Sequence, residues 1–344
     1  PRAPLRSGGG PPSAAGGPRM ERVRSLGFWA GEDVTVQAAG DVKEELLLGE
    51  GRTNQNFIVS RPDGGRFFVR VGQDLPFFRV SRAREAAASR AAAAAGLGPA
   101  VSYSEPPDIL VSEFVANGRA LTEDALRSAA SEGPGSALLA AVTSAIRSLH
   151  ALPVPEELVD FTREAGDMAA GWGGPHLALW LAYAEEQGYA RLPLLSGLRD
   201  TLARLEADAG ALGEHAPPRF CHFDLLADNL VLREDDQAIL LVDFEYAAAG
   251  QPLMDLAVLA MGCSLSGEQE GNLLSSYLTE RATEAQLRSF KAVRVIAALR
   301  ETFWGVTAEL SKSSALSEEE ASAYADMNYA KFTNSLAEYD AARS

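Results

Sequence analysis

His222-Phe223-Asp224-Leu225-Leu226-Ala227-Asp228-Asn229, with Val242-Asp243-Phe244-Glu245 following across a short hairpin, is the stretch that decides how this chain is read. Asn229 stands five residues after Asp224, and Asp243 stands 14 residues after Asn229. Phosphoryl transfer needs a carboxylate that orients and deprotonates a hydroxyl. It also needs oxygen ligands that hold Mg²⁺ against the phosphates. An Asp with an Asn five residues on, in a loop, supplies the base and one metal ligand. A second Asp at the end of the apolar run Ala238-Ile239-Leu240-Leu241-Val242 supplies the other. One Asp-x4-Asn alone carries no weight, because loop acids also cap helices and turns. The full pattern of His-x-Asp-x4-Asn and a later apolar-Asp-Phe is specific.

Working outward, the chain turns from β texture to helical texture near its first third. LLLGEGRTNQNFIVS from Leu46 and RFFVRVG from Arg66, joined by RPDGG, read as strands around Gly turns. Ser81 to Ala95 is an Ala-rich helix former closed by Gly96. AVSYSEPPDILVSEFVANG reads as two short strands. Beyond Gly118, residues 122–150 and 176–208 carry helix-period apolar residues, joined by an irregular stretch over 153–175. Short runs over 219–243 form a loop and hairpin around the turn REDDQ. Helices return from Leu253. Residues 1–19 are rich in Pro, Gly, Ser and Arg and read as a disordered leader, with Met20 as an alternative start. The expected fold class is α+β, with a small β-rich lobe over 20–117 and a larger, mainly helical lobe over 118–344.

The chain of 344 residues has 31 Lys plus Arg against 47 Asp plus Glu, a formal charge of −16. Such acidity argues against nucleic-acid binding and against anionic membrane surfaces. It suits cationic or metal-bridged ligands. Two cysteines make no disulfide framework, so a cytoplasmic, reducing location is expected. No apolar run reaches bilayer length, no signal-peptide core is present, and no histidine pair has metal spacing. Nothing in the sequence implies an oligomeric state.

With these motifs the chain resembles the choline/ethanolamine kinase family, within the aminoglycoside-phosphotransferase-like kinases of protein-kinase-like fold. The resemblance covers roughly residues 40–335 and implies that two-lobed fold. It extends through Asp243-Phe244-Glu245-Tyr246-Ala247, Pro252 and Asp255-Leu256-Ala257. By resemblance, Asp224 is the catalytic base, His222 supports the loop, and Asn229 and Asp243 bind Mg²⁺. Gly51, Thr53 and Asn54, in Gly49-Glu50-Gly51-Arg52-Thr53-Asn54, are similar to the family's phosphate loop, where backbone N–H groups cradle anionic oxygens. Arg70 occupies the strand cation's place and offers a fork matched to phosphate oxygens. Glu85 is its expected partner, and Glu113 to Val115 form the linker that holds the adenine of ATP.

The expected acceptor is a small alcohol, of cationic type. Quaternary ammonium ions are recognised by aromatic faces, and Tyr246, Trp304 and Tyr329 stand where the resemblance puts such a cage. Glu245 and Asp224 add negative charge. The family's Trp-x-x-Trp segment carries Glu301 in place of its first Trp. A carboxylate there suits ethanolamine or an amino-bearing antibiotic as well as choline. A non-catalytic nucleotide-binding module is the reading of another class. It is opposed by the presence of Asp224, Asn229 and Asp243 together. His150 is read as structural, and His176 and His215 carry no expected role.

Overall fold

The computed structural model describes residues 17–39, 54–166, 172–210, 217–314 and 316–343. Gly51, Thr53 and His215 lie outside them. A first helix, α1 (Pro18–Arg24), runs over the last two residues of the stretch read as a leader. Strand β1 (Thr35–Ala38) follows, then β2 (Gln55–Ser60) and β3 (Arg66–Val71). The sequence reading had missed β1, whose only signal is the short alternation of Val34 and Val36.

The β2–β3 hairpin turns at Gly64, whose φ of +91° suits a residue without Cβ. Helix α2 (Arg82–Ala94) is the expected Ala-rich element. With β4 (Val101–Glu105) and β5 (Ile109–Glu113) the sheet is antiparallel, in the order β1-β2-β3-β5-β4. Val59, Val69 and Val111 are fully buried beneath it, with Val23 of α1 and Trp29 closing the small core.

Between β3 and α2 the chain reaches across to the helical lobe. Leu75 and Val80 pair as an antiparallel bridge around the turn Pro76-Phe77-Phe78. Phe78 packs on Trp304 with ring centroids 5.0 Å apart. The Phe77 carbonyl accepts a hydrogen bond from Trp180 Nε1 at 3.1 Å.

Strand β6 (Gly118–Ala120) opens the second lobe by pairing with β8 (Leu230–Arg233), not with the first sheet. Helices α3 (Glu123–Glu132), α4 (Ala137–Ala151), α5 (Glu156–Glu164), α6 (Gly174–Glu186) and α7 (Leu198–Ala209) precede β7 (Arg219–Cys221). The stretch read as irregular therefore contains α5. Its flanking Pro153 and Pro155 look like breakers, yet Pro155 is the residue from which α5 starts. The hairpin of β8 and β9 (Ala238–Leu241) turns at Arg233 to Gln237 as expected, and β10 (Ala248–Gly250) pairs back to β7.

Helices α8 (Leu253–Gly262), α9 (Gly267–Leu278), α10 (Glu284–Ser311) and α11 (Glu318–Arg343) complete the fold. Helix α10 starts with a capping box between Thr283 and Gln286 and is buried on nearly every face. It is the axis against which α6, α7, α8 and α11 pack. At Gly305 a Cβ would come within 2.8 Å of the Ala325 backbone, so glycine sets the close crossing of α10 and α11. Among the described residues no single helix is long and apolar enough to cross a membrane.

Candidate active site

Strand β7 delivers the chain into the loop 222–229, which lies at the cleft between the lobes. Phe223 takes a φ of 60° and Asp243, at the end of β9, a φ of 68°. Non-glycine residues in that region carry strain of about 1–3 kcal/mol and persist where their surroundings over-determine them. Here Asp255 of α8 supplies the constraint. Its Oδ2 accepts from the His222 N–H at 2.8 Å and its Oδ1 from the Phe223 N–H at 2.7 Å. His150 Nε2 lies 2.9 Å from Asp255 Oδ2, and His150 Nδ1 meets the Tyr277 hydroxyl at 2.8 Å. The Phe223 ring fills a slot beside Gly250, where a Cβ would lie 2.4 Å from it. Cys221, His150 and Asp255 approach one another closely. The aspartate's oxygens, however, are already committed to two backbone N–H groups and the imidazole.

The loop then closes on itself and on the hairpin. Asn229 Nδ2 donates to the Asp224 carbonyl at 2.7 Å and to its carboxylate at 3.4 Å. His222 Nε2 lies 2.9 Å from the Val242 carbonyl, and the Val242 N–H donates to the Asn229 carbonyl at 3.1 Å. Asp224, Asn229 and Asp243 thus share one small region. Burial first, then the carboxylates of Glu301 and Asp243, hold Asp224 well above the usual carboxylate range.

On the small-lobe side Arg70 Nη1 donates to Asp243 Oδ1 at 2.6 Å and also to Glu85. Burial works to raise the Asp243 pKa, but Arg70 overcomes it and keeps this carboxylate low. Arg82, which the sequence reading passed over, bridges Glu85 at 2.6 Å and Glu245 at 3.0 Å. Asn54 Nδ2 also donates to Glu245, at 3.2 Å. Glu245, expected beside the acceptor, is therefore drawn toward α2 and Arg82. Its pKa is pushed up to about 7 by burial and by Asp243, against the pull of Arg82 and Arg70.

Beside this ion-pair chain lies a mostly apolar pocket of about 680 Å³, part of it open to solvent. Phe68, Val101, Leu110, Val231 and Val242 line it, together with the linker Glu113-Phe114-Val115 and with Arg70, Glu85 and Asp243.

The acceptor residues fare differently from one another. Trp304 Nε1 donates to the Tyr246 hydroxyl at 2.8 Å, and both rings are buried. Tyr324, not Tyr329, packs edge-on against Trp304, with centroids 5.0 Å apart. Tyr329 is five residues further on, about 140° around an α-helix, and its ring meets Phe332 at 6.4 Å. Glu301 accepts from Arg300 Nη1 at 2.9 Å and from the Tyr324 hydroxyl at 3.1 Å.

With this geometry in hand, comparison with known proteins gives concordant results. The sequence profile of the phosphotransferase enzyme family matches residues 45–290. No curated protein matches the chain. Among solved structures it is similar to a choline/ethanolamine kinase family protein from Mesorhizobium loti, at 23% identity and a TM-score of 0.63, covering 93% of this chain and 97% of that one. Choline kinase LicA from Streptococcus pneumoniae is similar at 17% identity and a TM-score of 0.66, covering 93% and 100%. Macrolide 2′-phosphotransferase MphH from Brachybacterium faecium is similar at 18% identity and a TM-score of 0.56, covering 89% and 97%. These likenesses establish the two-lobed protein-kinase-like fold.

Proposed function

The chain belongs to the phosphotransferase enzyme family, and we propose that it transfers the γ-phosphoryl group of ATP to a hydroxyl of a small alcohol, with Mg²⁺. The observation that carries this reading is that Arg70 and Asp243, paired at 2.6 Å, line the apolar pocket, while the adjoining loop holds Asn229 against Asp224 and is joined to the same hairpin through Val242. The donor set fits the proposed ligands. Carboxylate and amide oxygens suit a hard divalent cation. Apolar walls with a backbone edge suit adenine. Asn229 and Asp243 would hold the metal. When bound, Mg²⁺ would neutralise charge on the phosphate oxygens.

Asp224 aligns the acceptor hydroxyl and takes its proton as the oxygen bonds to the γ-phosphorus. The bond from that phosphorus to the β–γ bridging oxygen breaks, and ADP leaves. A pKa raised by burial and by neighbouring carboxylates makes Asp224 a stronger base than a free aspartate. Arg70 can swing part of its fork from Asp243 to phosphate oxygens, with Glu85 keeping it in place. His222 and Asp255 position the loop and do not meet the reacting atoms. We take the lobe boundary at 117/118, supported by the pairing of β6 with β8. A cytoplasmic location goes with ATP as donor and with Cys221 and Cys263, which are buried and unbridged.

Choline or ethanolamine is the acceptor that the family resemblance puts first. The second reading is an antibiotic hydroxyl, favoured by the carboxylates of Asp224 and Glu301, which suit amino groups. An ADP-release assay with choline, ethanolamine, thiamine, aminoglycosides and macrolides tests both. Mg²⁺-dependent ADP formation that requires one of these acceptors is expected. ATP binding with no turnover on any acceptor would return the chain to the non-catalytic class.

A further inference from the structure

The aromatic rings near Asp224 do surround a cation, and it belongs to the protein. Arg300 of α10 is 1% exposed. Its Cζ lies 5.4 Å from the Trp180 ring centroid, 5.7 Å from Phe223 and 5.5 Å from Tyr246. These are distances at which a guanidinium is held by ring faces. Its Nη1 donates to Glu301, and its buried Nε has no hydrogen-bond partner among the described residues. The rings, and not hydrogen bonds, therefore make up most of its surroundings. His176 completes the box, 5.5 Å from Trp180, 5.8 Å from Phe223 and 5.4 Å from Tyr246. Of the other two candidate rings, Trp304 is flanked by Phe78 and Tyr324, and Tyr329 meets Phe332.

We infer that Arg300 is a resident cation that sets acceptor specificity. It fills the aromatic box and engages Glu301, so the site rejects quaternary ammonium alcohols. The acceptor is instead an alcohol that presents hydrogen-bond donors, a polyol or a primary amino alcohol, to Asp224 and Glu301. The argument rests on the proposed acceptor side of the cleft. Two like charges in one box repel each other, and a trimethylammonium group has no N–H with which to use the carboxylates that remain. A primary ammonium or a hydroxyl does, and Glu301 keeps 18% of its side chain exposed to receive it.

The test is calorimetric titration of the full-length protein with tetramethylammonium chloride, against sodium chloride at equal ionic strength. Wild type, Arg300→Met and Arg300→Lys are compared. Wild type is expected to give no binding up to about 100 mM, and Arg300→Met to bind at least about tenfold more tightly than wild type through the vacated ring faces. Arg300→Lys, which keeps a cation, should behave as wild type. Wild-type binding with Kd of about 1 mM or tighter would overturn the inference. So would an Arg300→Met protein that binds ATP normally yet gains no affinity. If Arg300→Met does not fold, the wild-type titration still decides. Because no turnover is needed, failure of this inference is separate from failure of the phosphotransferase reading, which the ADP-release assay reports.

Discussion

The two walls of the cleft are built on opposite plans. On the nucleotide wall, Arg70, Arg82, Glu85, Asp243 and Glu245 form a chain of shared ion pairs beside an apolar space that stands open. Arg70, Arg82, Glu85 and Glu245 each have more than one bond there, so one can be given up while others persist. On the acceptor wall, Arg300, Glu301, Tyr246, Trp304 and Tyr324 satisfy one another and leave little unused. The first wall has the cations and the apolar space that the proposed nucleotide needs. The second is closed around its own side chains, so selection there works by what the protein has already put in the way.

The contrast can be broken most severely at Asp243. Asp243→Ala removes a proposed hard-cation ligand and leaves Arg70 without one of its two carboxylates. Activity should be lost at any practical Mg²⁺ concentration. Asn229→Ala should be milder and partly rescued by raised Mg²⁺ or by Mn²⁺, since an amide oxygen is the weaker ligand. Steady-state kinetics across a metal titration checks both, and a metal-insensitive Asn229→Ala that is the more damaging would overturn the assignment.

Next in size is Asp224→Asn. Turnover should fall at least about a hundredfold, the scale of a lost general base, while ATP binding stays nearly intact. A variant keeping more than half of wild-type turnover would remove Asp224 from that role.

A smaller effect separates the acceptor wall from the catalytic one. Among the described residues, buried His176 has no partner for either ring nitrogen, and burial, with Arg300, Arg84 and Arg79 nearby, keeps its pKa well below 6.5. The unfolded chain takes up a proton there as pH falls through about 6.5, whereas the folded chain does not. Folding therefore loses stability on the acid side, by up to about 1.4 kcal/mol per pH unit. His176→Phe should flatten the stability profile between about pH 6.5 and 5, as read from urea midpoints, while leaving the slope at pH 8 unchanged. An identical acid slope in both proteins would mean that His176 is protonated in place.

Least in size, Trp304→Phe keeps a ring but loses the hydrogen bond to Tyr246. About 1 kcal/mol of stability should be lost, and the acceptor KM should move more than the ATP KM. Equal shifts in both would make Trp304 a residue of the core alone.

What could be read from the sequence divides along the same line. Asp224, Asn229 and Asp243 lie in one contiguous loop and hairpin, so residue types and spacing together mark them, and the family resemblance points to Arg70 and Glu85 on the strand and helix before them. Arg82, Arg300 and Tyr324 act through contacts made by distant elements, which no local pattern encodes; Asp255 stands in the motif, but its hold on the loop does not show there. Glu245 shows the difference within three residues. Phe244, Glu245 and Tyr246 form a 3₁₀ turn, whose residues point about 120° apart. Phe244 goes to Phe220 and His222, Glu245 to Arg82, and Tyr246 to Trp304. Adjacent letters thus serve three different parts of the molecule. Strand β1 and helix α5 escaped for a humbler reason: one is too short to show a period, and the other starts from a proline.

The Leu75–Val80 bridge carries a mechanical consequence. The linker at Glu113 to Val115 already ties the lobes at one edge. Phe77 and Phe78, seated on Trp180 and Trp304, tie them at a second point. Ion pairs from Arg70 to Asp243 and from Arg82 to Glu245 hold the lobes along the cleft as well. Any parting of the lobes at the bridge would strip the Phe77 carbonyl from Trp180 and the Phe78 ring from Trp304 together, so the bridge works as a latch.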